Sequence, residues 1–373
     1  MPKTIAITPS WYWPADIPRV VGVPPYSIFE LCIRRHARNQ PDAVALIDAA
    51  GSLRFGELAE EVTRLAAPIA LEAGESRLVT VPGELSRASL LHLLAALAGG
   101  VRVQFAGRTT ALPASNSTAP PSPLPGELLD PRLPAVLVPG GRAGVWHSNR
   151  SLLAMAISMA TYLDAGRERP WISTLPLSTW EGLMALLTPL HLGAPLVIPP
   201  PGADPDSLLG LISRHNAGFI VAELEAFATV CREAKRAAKD ARKVLEAALL
   251  AVDGPFDPDQ RRRVSKSLEC PALTFWGMPE TGPVFASHQS WYMDESVGLP
   301  MTNAHVVPAD PRTGEPIQAL WELVELAEVT VFSPSLMSGY EEGAAPPVFA
   351  GSRFRTGMLA SSDANGMVYL LGS

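Results

Sequence analysis

FWGMPETG, residues Phe275 to Gly282, is the stretch on whose reading the rest of the chain depends. An aromatic pair, a glycine, a tight turn through Pro279 and then a glutamate set a ring that can stack on a flat base close to a carboxylate that can hold a metal. The same residues also read as a strand end turning through Gly277 and Pro279, because turn residues of this kind occur in any fold. What stands on either side decides between the two.

The chain has 373 residues, 47% of them hydrophobic and 18% charged. That is enough for two or three packed units at about 100–200 residues per domain. A net charge of −7 gives no electrostatic reason to expect nucleic acid or an anionic membrane as partner. The basic runs Arg232 to Lys243 and Arg261 to Arg263 fall in helical patterns and are expected to be solvated helix faces. Cys32, Cys231 and Cys270 have no paired spacing, so neither a disulfide framework nor a zinc site is expected. No apolar run approaches the ~20 residues of a transmembrane segment, and the N-terminus lacks a secretory pattern. The expectation is a cytoplasmic protein with reduced, buried thiols.

Upstream of the motif, strands and helices alternate. After an extended strap, a helix begins beyond Ser27, with Ile28, Phe29, Leu31, Cys32 and Ile33 as its apolar stripe. Strands are expected at Ala43 to Ile47, Leu53 to Phe55, Arg77 to Val81, Val101 to Phe105 and Ala135 to Val138. Helices are expected from Gly56, over Ser86 to Leu97 and from near Ser148 or Ser151. A helix over Leu208 to His215, a strand over Ala217 to Val221, a long helix over Glu223 to Leu250 and a short strand over Ala251 to Asp253 follow. Asp257-Pro258 caps one more helix, and a strand over Pro271 to Phe275 runs into the motif. This alternation predicts a parallel sheet covered by helices. The Ala, Ser, Thr and Pro-rich segment from Ala111 to Pro125 has loop composition.

Taken with these ordered segments, FWGMPETG closely resembles the aromatic-Gly-x-Thr-Glu signature of the adenylate-forming acyl- and aryl-CoA ligases. Pro41, Asp42, Ala45 and Leu46, then Leu53, Arg54, Phe55, Glu57 and Leu58, match the family's opening in order and spacing. Gly144, Val145, Ser148, Arg150 and Leu152 match the downstream half of its phosphate loop. Pro176, Leu177, Gly182, Leu183, Gly193 and Ala194 match the segment lining its acyl pocket. Ser296 to Ile317, Val329 to Tyr340, and Thr356, Gly357, Asp363, Gly366 and Gly372 continue the match almost to the end.

The resemblance implies an α/β fold, the large N-terminal domain of these enzymes: two helix-flanked sheet subdomains and a small β-barrel, with the mobile C-terminal domain absent. The expected divisions are a strap over 1–26, a first subdomain over 27–190, a second over 191–297 and the barrel over 298–373. It also implies roles. Trp276 would stack on adenine, against Gly254 and Pro255, and Gly277 and Met278 would border the nucleotide. Glu280 would be the catalytic and metal-binding carboxylate, reaching Mg²⁺ between the phosphates of ATP, a use that suits a hard-oxygen ligand. Main-chain N–H groups at Gly140 and Gly141, helped by Arg142, are left to hold an anion. Thr179, Trp180, Met184 and Thr281 are the candidate substrate-pocket residues. His147 beside Ser148 lacks a nucleophile elbow, which excludes a serine hydrolase.

Departures from the pattern weigh on function. Val138, Pro139 and Ala143 stand where the family has phosphate-binding hydroxyls and lysine, and Pro279 replaces a threonine. Met358 replaces the aspartate that grips the ribose. Three readings follow from the resemblance. In the first, a degenerate AMP-binding protein binds an acyl or aryl carboxylate or its acyl-adenylate, with ATP/AMP and Mg²⁺ binding weakened or lost. In the second, an adenylating half-enzyme takes its C-terminal domain from a partner protein. In the third, the chain is a scaffold or regulatory subunit of a biosynthetic or carrier-protein complex.

Overall fold

The computed structural model describes residues 13–106, 130–141, 143–317, 324–344 and 346–372. A π-helical turn, Phe29–Arg34, with Glu30 N donating to the Ser27 hydroxyl, leads into α1 (Arg35–Asn39). β1 (Val44–Asp48) and β2 (Gly51–Arg54) pair as a hairpin before α2 (Phe55–Ala73). β3 (Leu78–Pro82), α3 (Arg87–Ala98) and β4 (Arg102–Ala106) follow, α3 being capped by the Ser86 hydroxyl. β5 (Pro134–Val138) and β6 (Val145–Ser148) then lead into α4 (Asn149–Tyr162).

The next run is β7 (Trp171–Ser173), α5 (Trp180–Leu192), β8 (Leu196–Val197), α6 (Pro205–His215) and β9 (Phe219–Glu223). After α7 (Leu224–Glu233) and α8 (Lys235–Asp240) come β10 (Ala247–Ala251), α9 (Pro258–Leu268), β11 (Ala272–Met278), β12 (Gly282–Ala286) and β13 (Leu299–Pro300). The chain closes with β14 (His305–Ala309), β15 (Val324–Phe332), β16 (Gly339–Tyr340), β17 (Phe349–Ala350), β18 (Arg353–Ser362) and β19 (Val368–Gly372).

These strands build three sheets. Nine strands run in the order β13-β12-β11-β10-β9-β7-β8-β1-β2, parallel from β11 through β1 and antiparallel at both ends. β16-β6-β5-β4-β3 form a second, mixed sheet, and β14, β15, β18, β17 and β19 a third, antiparallel one. The first sheet takes β1, β2 and β7 from before residue 190, so it extends across that position. Its central strands are apolar on both faces, as parallel strands covered by helices require. Phe275 faces one core cluster and its neighbour Trp276 the other. No helix among the described residues is long and apolar enough to cross a membrane.

Two local expectations are corrected. The predicted helix over Glu223 to Leu250 breaks at Ala234 (φ −94°, ψ 53°) and gives way to β10. The Ala and Leu residues at 247–251 favour a helix by propensity, but all five are buried between β9 and β11, and tertiary pairing overrides that weak preference. Arg261 lies on no solvated face. It is fully buried and donates to the carbonyls of Ala272, Met293 and Ser296 and to the Ser287 hydroxyl, with Tyr292 stacked 4.0 Å away. Burial lowers its pKa to about 10, so it remains a cation that anchors the 287–296 loop to α9.

Candidate functional site

The FWGMPETG stretch forms the end of β11 and the turn into β12. Gly277 is required there, because a Cβ would lie 2.0 Å from the Gly282 oxygen. Thr281 closes the turn from inside: its hydroxyl accepts from Met278 N at 3.0 Å and donates to the Gly282 oxygen at 2.8 Å. Two outside contacts hold the tip. His147 Nε2 donates to the Pro279 oxygen at 2.6 Å, which leaves Nδ1 to accept from the Ser151 hydroxyl at 3.2 Å. Burial pushes the His147 pKa down to about 4, so the imidazole is neutral. The Tyr340 hydroxyl donates to Glu280 Oε1 at 3.0 Å, and Met337 N donates to the Glu280 oxygen at 2.8 Å.

Met278, Pro279 and Glu280 thereby form one wall of a cleft of about 590 Å³. Pro139 and Gly141 border it at the glycine turn after β5, and Asp253 borders it after β10. Thr356, Gly357 and Met358 of β18 supply a further side. That strand segment is fixed by Glu328, which accepts from Gly357 N at 3.0 Å and from Arg355 Nε at 2.9 Å.

The remaining wall is the start of α5. Thr179 caps the helix by accepting from Gly182 N at 3.1 Å, and Trp180 stands edge-on to Phe275 at 6.0 Å. Glu181 follows in the first turn. Burial, helped by the Asp253 and Glu223 carboxylates, pushes its pKa up to about 7.

The structure thus brings Gly277, Met278, Glu280, Gly141, Thr179 and Trp180 together around one cleft. The other described candidates are not among the residues that line it. Trp276 is wholly buried, stacked on Phe285 at 5.7 Å, with its Nε1 donating to the Asp253 oxygen at 3.3 Å, so its ring offers no face to the cleft. Met184 is a core residue on the buried side of α5, and Thr281 is spent on its own turn. Gly254, Pro255 and Gly140 are not among the lining residues, and Met358 Cε lies 3.9 Å from where a Gly254 side chain would begin. Arg142 is outside the described residues. Glu181, Asp253 and Tyr340 are site residues that the sequence reading missed.

The indole of Trp276 is packed into the core, and the Met358 side chain stands among the residues that border the cleft. No three Asp, Glu, His or Cys side chains among the described residues converge enough to share a metal ion.

Comparison with known proteins places the chain. The family model for AMP-binding enzyme matches residues 140–341, more than half of the chain. No curated protein matches. Among solved structures, the nonribosomal peptide synthetase FmoA3 in its AMPPNP-bound form is similar with a TM-score of 0.79 and 20% identity, over 97% of this chain and 44% of that one. o-Succinylbenzoate CoA synthetase from Bacillus subtilis gives 0.77 and 18%, over 91% of this chain and 78% of that one. The amide bond synthetase McbA from Marinactinospora thermotolerans gives 0.75 and 20%, over 90% and 78%. At such identities the likeness shows the fold alone. It is the N-terminal-domain fold of adenylate-forming enzymes, and this chain spans under half the length of the first of the three.

Proposed function

This chain belongs to the AMP-binding enzyme family, and on that premise we propose that its cleft binds an acyl or aryl carboxylate with little or no adenylation of its own. The observation that carries the reading is the position of Trp276, whose ring fills the space between β11 and the loop at Asp253 instead of facing the cleft. Met358 adds to it. A hydrogen bond to a charged group contributes roughly 1.5–3 kcal/mol, so replacing the ribose-gripping aspartate weakens nucleotide binding by about ten- to a hundredfold. The carboxylate has room beside Thr179, Trp180 and Met278, in a cleft whose volume falls in the usual range for small-molecule sites, about 300–1,000 Å³.

Mg²⁺, ATP and AMP are therefore weak ligands in this account. One observation favours a second reading, an adenylating half-enzyme completed by a catalytic domain on a partner chain: Glu280 still lines the cleft, oriented by Tyr340. Pyrophosphate exchange with a panel of fatty and aromatic acids separates the two. Exchange at background level, together with saturable binding of an acid, supports the binding protein. Acid-dependent exchange that Glu280→Ala abolishes supports the half-enzyme, and the absence of both exchange and binding leaves a scaffold.

A further inference from the structure

Lysine is rare in this chain and unevenly placed. Of the thirty lysines and arginines only five are lysine, and four of those are Lys235, Lys239, Lys243 and Lys266. The structure gathers these four on one surface. α8 packs against α9, and the loop after α8 is fastened to the end of α9: Arg242 Nε donates to the Ser267 oxygen at 3.2 Å and Lys243 N to the Leu268 oxygen at 3.1 Å. All four lysines and Arg236 are exposed.

Helix-terminus electrostatics account for part of this pattern. Lys239 and Lys266 lie in last turns, where the helix dipole favours a cation. Lys235 and Arg236 do the reverse: they open α8, whose first turn holds no acid, and so stand at the positive end of its dipole. Lys235 and Lys239 are also four residues apart, a spacing at which like charges on a helix repel. Of the four lysines only Lys243 has an acid partner among the described residues, Glu269 at 3.4 Å, which it shares with Arg242 at 3.2 Å. The chain alone gains nothing from the cations that open α8, and a local rule broken without a local gain points to function.

The partner that relieves this repulsion is anionic, and the face narrows its class. No large apolar side chain is exposed on α6 to α9 among the described residues, so the face offers lipid no anchor and an unstacked base no ring. Beyond the patch, the chain's net charge of −7 repels a long polyanion. Flexible, strongly hydrated lysines supply point charges without a fixed geometry, which suits carboxylates spread along an extended peptide.

We propose that the α8–α9 face docks an acidic segment of a partner protein. α8 and α9 end on the side from which β10 and β11 set out, whereas Asp253, beyond β10, and Met278, at the end of β11, border the cleft. Docking at this face leaves the cleft open, so the proposal does not depend on what the cleft binds.

Fluorescence anisotropy of the intact chain with fluorescein-labelled decaglutamate tests it. A Kd of about 10 µM is expected at about 50 mM salt, weakening by about fivefold at about 200 mM as the exposed charges are screened. Lys235→Glu/Lys239→Glu/Lys266→Glu should weaken binding by about tenfold, while Arg38→Glu/Arg64→Glu, on α1 and α2, should leave it within about twofold. Lys235→Glu alone should weaken the peptide by about threefold yet raise the thermal midpoint, because it puts an acid in the first turn and opposite Lys239. Circular dichroism checks that each variant is folded.

No binding at the lower salt, equal losses in the two multiple variants, or equally tight binding of an uncharged Gly-Ser peptide would overturn the proposal. A thermal midpoint lowered by Lys235→Glu would overturn it too, since the lysine would then serve the free fold. Tighter binding of duplex DNA or of phosphatidylserine vesicles through the same lysines would assign the face to another class of polyanion and overturn the acidic protein partner.

Discussion

The indole N–H of Trp276 donates to the main-chain oxygen of Asp253 at 3.3 Å, tying the end of β11 to the loop that ends β10. Stacked on Phe285 and fully buried, the ring acts as core. Trp276→Ala should therefore cost about 3–5 kcal/mol of stability, the usual range for a large aromatic truncated in a core. Chemical denaturation measures it. A loss below about 1 kcal/mol, the scale of an exposed side chain, would mean that the ring is not packed as described.

His147 joins the start of α4 to the motif turn through the Pro279 oxygen. His147→Ala leaves that carbonyl and the Ser151 hydroxyl short of partners and opens a void, so a loss of about 2–4 kcal/mol is expected near pH 7. The pKa falls from 6.5 to about 4 on folding, so the neutral imidazole's contribution is present above the unfolded value and is lost as pH falls toward 4. The gap between wild type and variant should consequently narrow between pH 7 and about pH 5. A gap that is constant with pH would show that His147 does not titrate as a buried neutral group.

Glu181 has the opposite sign. Its pKa is raised from 4.5 to about 7 by burial and by the Asp253 and Glu223 carboxylates, against the opposing pull of hydrogen bonds from its own backbone N–H and the Thr179 hydroxyl. The folded state binds its proton more tightly, so the protein loses stability as pH rises from the unfolded value through 7. Glu181→Gln should be more stable than wild type by on the order of 1–3 kcal/mol at about pH 8 and nearly equal to it at about pH 5. Urea titrations at the two pH values test this, and equal effects at both would contradict the assignment.

Arg261 is a buried cation whose partners are carbonyls and a hydroxyl. Arg261→Leu removes the donors but leaves the acceptors buried, so a loss of about 3–5 kcal/mol is expected, with loosening of residues 287–296. Hydrogen exchange on that loop provides the local readout, and unchanged protection there would contradict the anchoring role.

Much of the framework was legible in the sequence because local chemistry and global fold agree. Ser86, Ser148 and the Asp257-Pro258 pair cap helices where their side chains allow, and the strand-helix alternation gives the parallel sheet. What could not be read depends on tertiary placement. Ala247 to Ala251 suits a helix or a buried strand equally well by composition. Phe275 and Trp276 are both apolar on a strand covered on both faces, so period-two alternation does not tell which core cluster each ring enters. Glu181 looks like the ordinary acid of a helix first turn, where the helix dipole favours it, and only the opposing wall at Asp253 gives it another meaning. Gly254 and Pro255 matched a motif in sequence while lying off the cleft.

We propose that this chain keeps the family cleft but binds nucleotide there only weakly. Titration calorimetry of the intact chain with Mg·ATP tests it most directly. No saturable binding is expected up to about 1 mM, corresponding to less than roughly 4 kcal/mol of binding free energy. Saturable one-to-one binding with a Kd of about 50 µM or tighter would contradict it.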